Sequence, residues 1–397
     1  MTYLCSNPWT TLFIWGNGMV THCCYSNIGF IGNIKNNTIE EIWNSKKINY
    51  VRDKIANGQY IEAGCEYYCR AFRLNEYYGS LKNPPEIPEG LGRIEYLKLE
   101  RNIHNPQVIG IENEWACNLN CSHCLSSRST SGVSVEYFNS IMSQLNQAKI
   151  IRFINGEYSV NKNCLEMIKI ISKQQKQPTV FLVSNAQTTI EDVYPYIDKL
   201  NSLHLKVSFE NIGKEYENVR QGATWQIFES NLSKLHSYFN LKSKKGKDWR
   251  LYLNLCVMKS NFFVLPEIMK YAIGRNIPLV LNTINGMRKV DENIFMYKDI
   301  EQADKRVESI INKCNEYIEK AVNYCFQKQL KGHFNYIIRT LRENKLGLSK
   351  KTAKIVMIFL KGRKSEILLY SLYKISRNKM SFLLYVSRKI KTKLGLN

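Results

Sequence analysis

Val108-Ile109-Gly110-Ile111 and, after a short polar loop, Cys117-Asn118-Leu119-Asn120-Cys121-Ser122-His123-Cys124 form the stretch on which the reading of this chain turns. The first part is a short apolar run of the kind that makes a buried strand. The second places three thiols at C-x3-C-x2-C spacing on one loop. Three thiolates there can hold three irons of a cubane cluster and leave the fourth without a protein ligand. An iron with an open position can bind and reduce a small molecule, and thiolates are the usual holders of such clusters. A zinc ion completed by His123 is the other chemistry these donors allow, because three cysteines and one histidine are a common structural set.

Working outward, apolar runs alternate with helical patterns. Ile150 to Ile154, Thr179 to Val183, Leu205 to Phe209, Arg250 to Val257 and Leu279 to Leu281 read as strands. Leu165, Ile168 and Ile171, with Met167 and Ile170 beside them, fit one helix face, and Glu215 to Phe239 and Val264 to Ile273 read as helices. Such alternation argues for a parallel sheet covered by helices. No Rossmann glycine fingerprint or Walker loop is present, and no internal repeat, so nucleotide-binding folds of those kinds and solenoids are not predicted.

The cysteine spacing resembles the signature of the radical S-adenosylmethionine (radical SAM) superfamily, which usually has an aromatic residue where this chain has His123. The resemblance implies an α/β fold: a partial (β/α)6 TIM-like barrel over residues 107–285, with its active site at the C-terminal strand ends. It implies that Cys117, Cys121 and Cys124 hold a 4Fe-4S cluster whose open iron chelates SAM. One electron then gives a 5'-deoxyadenosyl radical. Asn155-Gly156-Glu157-Tyr158 is similar to the family's Gly-Gly-Glu-Pro segment, which implies that Glu157 accepts from the SAM ammonium. An exposed loop carboxylate is the plainer alternative. Val183-Ser184-Asn185-Ala186 resembles the family's Thr-Asn-Gly, so Ser184 and Asn185 would face the ribose or a polar substrate edge. Ser208, in Val207-Ser208-Phe209-Glu210, stands where the family often has Ser-x-Asp. Tyr216-Glu217-Asn218-Val219-Arg220-Gln221-Gly222 looks like its Tyr-x-x-Val/Ile-Arg-Gly segment, and Arg220 could offer its planar fork to the SAM carboxylate. A solvated helix charge, worth little, is the other reading of Arg220.

A second cysteine pattern precedes the first. Cys5 is followed by Gly18-x4-Cys23, with Cys24 adjacent, and then by Cys65-x3-Cys69. Asn7-Pro8-Trp9, the run from Gly29 to Ile34 and Thr38 to Asn44 surround them. This arrangement resembles the SPASM, or truncated twitch, auxiliary-cluster domain of radical SAM enzymes. The resemblance implies one further 4Fe-4S cluster on Cys5, Cys23, Cys65 and Cys69, and a four-cysteine zinc module is the alternative. The expected organisation is therefore an auxiliary domain over 1–73, a linker over 74–106 punctuated by Pro84, Pro85, Pro88 and Pro106, the barrel over 107–285 and a helical region over 286–397. Within the family the auxiliary domain normally follows the barrel.

Of the 12 cysteines in the chain, Cys164, Cys256, Cys314 and Cys325 fall in apolar patterns and read as small buried hydrophobes. With no signal peptide and no long apolar span, a cytoplasmic, reducing location is expected. The net charge of +22 is uneven: residues 331–397 hold 17 Lys and Arg against Glu343 and Glu366, a net +15 that leaves +7 for the rest. Ile355 to Leu360 and Phe382 to Val386 interleave with those charges. The tail thus suits an interfacial helix at an anionic inner membrane surface, a solvated cap, or a phosphate backbone. What the resemblance implies is hydrogen abstraction from a small polar, sugar-like substrate, with flavodoxin or ferredoxin as reductant. Maturation of a ribosomal peptide is one alternative, and a metal-stabilised nucleic-acid-binding protein without activity is another.

Overall fold

A computed structural model of the protein describes residues 5, 7–23, 28–60, 62–65, 105–124, 132–145, 147–284, 292, 294, 305–321, 324 and 326–342. Cys24, Cys69, Cys325, most of the expected linker and the basic run beyond 342 lie outside them. The described strands make one nine-stranded sheet in the order β3-β2-β1-β4-β5-β6-β7-β8-β9. These are β1 (Thr11–Ile14), β2 (Met19–Thr21), β3 (Gly32–Asn33), β4 (Val108–Glu112), β5 (Ile150–Ile154), β6 (Thr179–Ser184), β7 (Ser202–Ser208), β8 (Asp248–Val257) and β9 (Leu279–Thr283). From β4 to β9 every neighbouring pair is parallel and sequential in the chain. The α/β architecture with a mostly parallel sheet is the one the strand–helix alternation predicts.

Alternation within the strands explains the layering. Leu203, Leu205 and Val207 of β7, with Leu251, Leu253 and Leu255 of β8, are buried on one face. The helices that cover the sheet are amphipathic for the same reason. In chain order the helices used below are α1 (Asn7–Thr10), α2 (Ile39–Trp43), α3 (Lys46–Ala56), α4 (Val135–Ile141), α5 (Lys162–Ser172), α6 (Tyr194–Ile197), α7 (Gly213–Val219), α8 (Trp225–Lys244), α9 (Leu265–Gly274), α10 (Lys305–Lys320) and α11 (Gln327–Arg342). Phe209, at the end of β7, stacks on Phe228 of α8 at 5.7 Å and on Tyr271 of α9 at 4.9 Å. Cys164 and Cys314 are fully buried in this core and Cys256 is half-buried, which fits their reading as apolar residues. Among the described residues no helix is long and apolar enough to cross a membrane.

One helix departs from the sequence reading. The stretch 215–239, expected as a single helix, is two: α7 stops at Val219 and α8 starts at Trp225. Gly222 lies between them at φ +93°, a conformation open to glycine and costly for other residues.

The N-terminal residues join this sheet. β1 pairs in parallel with β4, Thr11 opposite Val108 through Ile14 opposite Ile111. β2 and β3 continue outward as an antiparallel meander. Gly110 makes the junction possible: a Cβ there would lie 2.3 Å from the ring of Phe13. Glu112 pins the upper end, its Oε2 accepting from the Gly16 N–H at 2.8 Å and its Oε1 from the Asn155 side chain at 3.2 Å. Around the meander pack α2, with a capping box between Thr38 and Glu41, and α3, whose Arg52 lies over the fully buried Trp43 ring at 4.5 Å.

Candidate functional site

The cysteine loop leaves the C-terminal end of β4, so the three thiols stand at the carboxyl edge of the parallel strands, where α/β sheets bind their ligands. Cys117 and Cys124 are exposed and Cys121 is half-buried. The break between α7 and α8 holds the loop. A helix end leaves carbonyls without intrahelical partners, and here they are used: Asn120 N–H donates to the Gln221 carbonyl and Ser122 N–H to the Val219 carbonyl, each at 2.9 Å. On the other side Glu157 N–H donates to the Ala116 carbonyl at 2.7 Å. The turn carrying it has Gly156 at φ +63°, and a Cβ there would lie 2.7 Å from the carbonyls of Glu114 and Ala116.

Two of the three sulfurs have polar side chains beside them. The Arg220 guanidinium approaches the Cys121 sulfur at 3.6 Å, and the Asn185 amide lies 3.9 Å from the Cys117 sulfur. Burial pushes the Cys121 thiol up to about 11, with Arg220 pulling the other way, and burial also raises Cys117. Arg220 is itself buried and ion-paired with buried Glu210. Burial opposes its charge, but Glu210 and Cys121 outweigh burial and hold the guanidinium above its ordinary range. Glu210 also faces His123 Nε2 at 3.7 Å, and the Asn261 amide donates to its backbone carbonyl at 3.0 Å.

Glu157, expected near SAM, is buried and already well supplied with donors. Its Oε1 accepts from the Ser159 hydroxyl at 2.8 Å and the Ser184 hydroxyl at 2.9 Å, and its Oε2 from the Asn185 N–H at 2.6 Å. Burial raises its carboxyl, while the hydrogen bonds from Asn185, Ser159 and Ser184 work against the rise. A carboxylate offers about four acceptor positions, so Oε2 keeps room for one further donor. Glu157, Ser184 and Asn185 thus form one knot between the end of β6 and the loop after β5. Ser208 ends β7 and is buried opposite Asn254 of β8. Asn254 accepts from the Asn282 amide at 2.7 Å.

Among the described residues no three His, Cys, Asp or Glu side chains converge as ligands of one ion. Zinc needs its donors about 2.0–2.3 Å from a single centre. A cubane instead gives each cysteine its own iron. Three thiols on one loop, with a guanidinium and an amide directed at two of them, fit a thiolate-held cluster, because such donors stabilise negative sulfur.

In the N-terminal part Cys5, Cys23 and Cys65 are all half-buried. Cys65 N–H donates to the Tyr60 carbonyl at 2.8 Å. Burial pushes the Tyr60 hydroxyl up to about 12, with Cys5 and Cys65 adding to the rise, which puts both thiols near one buried phenol. His22, next to Cys23, is buried and its pKa lowered by burial.

Sequence reasoning missed Glu210 as a partner of Arg220. The available signal was a charged residue directly after the apolar run of β7, where strand alternation demands none.

The family model for SPASM, an iron-sulfur cluster-binding domain, matches residues 5–70. No curated protein matches the chain. Among solved structures, Streptococcus suis SuiB is similar at 14% identity over 70% of this chain and 63% of that one, with a TM-score of 0.41. SuiB bound to S-adenosylmethionine aligns at 15% identity over 55% and 48%, with a TM-score of 0.40. The structure of anSMEcpe with bound AdoMet aligns at 15% identity over 64% of this chain and 67% of that one, with a TM-score of 0.37. The chain therefore spans about half to two thirds of the length of these proteins.

Proposed function

We propose that this chain is a radical SAM enzyme carrying a SPASM-type auxiliary cluster domain, and that it abstracts hydrogen from a small polar, sugar-like substrate. The observation that carries the reading is the Cys117/Cys121/Cys124 loop at the C-terminal end of β4, with Arg220 and Asn185 directed at two of its sulfurs. The match of residues 5–70 to an iron-sulfur cluster-binding domain supports it independently. A 4Fe-4S cluster on the loop would supply the electron that cleaves SAM to a 5'-deoxyadenosyl radical.

The chain's own residues do the rest. Asn185 and Arg220 donate toward the thiolates. Glu157 would accept from the SAM ammonium through Oε2, and the guanidinium nitrogens of Arg220 not engaged by Glu210 or Cys121 would be left to bind the SAM carboxylate. Ser208, Asn254 and Asn282 put a hydroxyl and two amides along adjacent strands, a lining suited to a hydroxylated substrate. Cys5, Cys23, Cys65 and Cys69 would hold the auxiliary cluster, which could take the second electron of an oxidation.

Anaerobically reconstituted protein is expected to hold roughly eight irons, two cubanes' worth, and to cleave SAM when reduced. Replacing Cys117, Cys121 and Cys124 together by Ala should remove about half of that iron and all cleavage, since no other protein thiolates serve that cluster. Cleavage that survives the triple replacement overturns the assignment.

A further inference from the structure

Two buried polar atoms of the N-terminal part, Asn7 Nδ2 and His22 Nδ1, have no hydrogen-bond partner among the described residues. Each residue is only 2% exposed. Burying a polar group without a partner is costly, and such groups are rare in native proteins. The two share one place in the fold. Asn7 stands two residues after Cys5 and opens α1, which runs straight into β1. His22 immediately precedes Cys23 and follows the end of β2. β1 and β2 are antiparallel, with Phe13 opposite Thr21, so the start of β1 and the end of β2 lie at the same end of the hairpin. That end gathers Cys5, Cys23 and both orphaned atoms.

The surroundings favour negative charge there. Arg52 of α3 donates through Nε to the Pro8 carbonyl at 2.9 Å and through Nη1 to the Asn49 side-chain oxygen at 2.8 Å, and it lies over the Trp43 ring at 4.5 Å. All three contacts are neutral. His22 feels burial first, which lowers its pKa, then Cys23, which raises it, and then Arg52, which lowers it. A neutral imidazole carries one N–H, and the partner decides which nitrogen holds it. The Tyr60 hydroxyl, pushed up to about 12 by burial and by Cys5 and Cys65, keeps its proton beside those thiols. The acidic residues described before β4 are Glu40, Glu41, Asp53 and Glu62, and all four are exposed. A negative group held by Cys5, Cys23 and Cys65 thus has an amide, an imidazole, a guanidinium and a phenol near it, and no buried carboxylate among the described residues of that part.

We infer that Asn7 Nδ2 and His22 Nδ1 donate hydrogen bonds to sulfurs of the iron-sulfur cluster held by the N-terminal cysteines. A cluster offers them sulfide as well as thiolate sulfur, and hydrogen bonds to the sulfurs are among the levers that set its potential. The two side chains tune the cluster and are not ligands of it. Each donor favours the more negative, reduced state and so raises the potential, which suits the group to receive an electron. That this electron comes from a substrate rests on the function proposed above. The hydrogen bonds themselves rest on the orphaned atoms and on the iron-sulfur match of residues 5–70.

The full-length chain with Cys117, Cys121 and Cys124 replaced by Ala, reconstituted anaerobically, isolates the signal of the N-terminal cluster. Its midpoint potential is read by redox titration followed by electron paramagnetic resonance. Asn7→Leu and His22→Leu should each lower it by about tenfold in the one-electron equilibrium, near 59 mV. Iron should stay at about four per chain, one cubane's worth. His22→Asn, whose amide can stand where Nδ1 stood, should keep the potential closer to the parent than His22→Leu does. Asn7→Asp, of the same size and with an acceptor in place of the donor, should also lower the potential, and it serves if Asn7→Leu does not fold. A potential unchanged or raised in either leucine variant at full iron content overturns the inference for that residue. Iron lost from all four variants would make the two side chains structural, and a parent without iron would remove the cluster, so either result overturns it too. SAM cleavage is scored separately, on protein with all its cysteines. Its absence with the potentials shifted as expected overturns the proposed reaction and leaves the two hydrogen bonds standing.

Discussion

Arg220 answers to two groups of opposite effect, the Glu210 carboxylate and the Cys121 sulfur. A cation beside a cluster thiolate favours the added electron, and a carboxylate behind the cation offsets part of that. Two unit charges about 6 Å apart interact by roughly 3 kcal/mol at an effective dielectric near 20. A partly compensated guanidinium therefore moves a one-electron equilibrium by about tenfold, near 59 mV. Arg220→Gln should shift the midpoint potential of the loop's cluster negative by about that amount, and Glu210→Gln should shift it positive. Redox titration followed by electron paramagnetic resonance reads both signs at constant iron content. Shifts of the same sign in the two variants would contradict the charge argument. The cysteines themselves were legible in the sequence because their spacing is local. The contact between Arg220 and Cys121 joins residues 99 positions apart and depends on where α7 stops, which no local pattern encodes.

At the scale of elements, the break between α7 and α8 is what the periodicity obscured. Apolar residues continue through 215–239 at helical spacing, so pattern alone favours one helix. Gly222 was the available signal, and only the fold gives its reason: at φ +93° the chain turns back so that Gln221 and Val219 carbonyls meet the cysteine loop, with Leu119 3.4 Å from where a Cβ would stand. Gly222→Ala should therefore destabilise the protein by about 1–3 kcal/mol, the usual cost of a non-glycine residue held in a sparsely populated region. Because the strain falls on the segment that holds the loop, iron from the Cys117 cluster should leave faster under chelator challenge than in wild type. Thermal unfolding and chelation rates measure the two effects, and a variant unchanged in both would show that the turn is not a constraint. The strands were legible within a residue or two for most of β4–β9. The parallel pairing of β1 with β4 was not, because register between strands separated by a long stretch of chain is set by the whole sheet.

For the molecule as a whole, the sequence presents two cysteine-bearing regions separated by proline-punctuated chain, whereas the sheet makes them continuous. β1 is the partner of β4, and Val108, Ile109 and Ile111 are almost wholly buried at that junction. Further ties cross it: Gln107 N–H donates to the Thr10 carbonyl at 2.9 Å, Gly16 N–H to Glu112, and Ile39 N–H to the Gln144 side chain at 3.0 Å. Without residues 1–105 the chain would carry β4 as an edge strand, apolar and with unpaired backbone groups, the arrangement that templates intermolecular pairing. The Phe13 ring would also be gone from above Gly110, leaving a glycine at the exposed edge. A truncated chain of residues 106–397 should accordingly aggregate on expression, whatever its cysteine loop can bind. Size-exclusion chromatography with light scattering, run beside the full-length protein, decides this. A soluble, monomeric truncation that still takes up about four irons, one cubane's worth, would mean that the N-terminal region is an appendage. Aggregation that is relieved by adding back the N-terminal region on a separate chain would mean that β1 completes the sheet on which the cysteine loop stands.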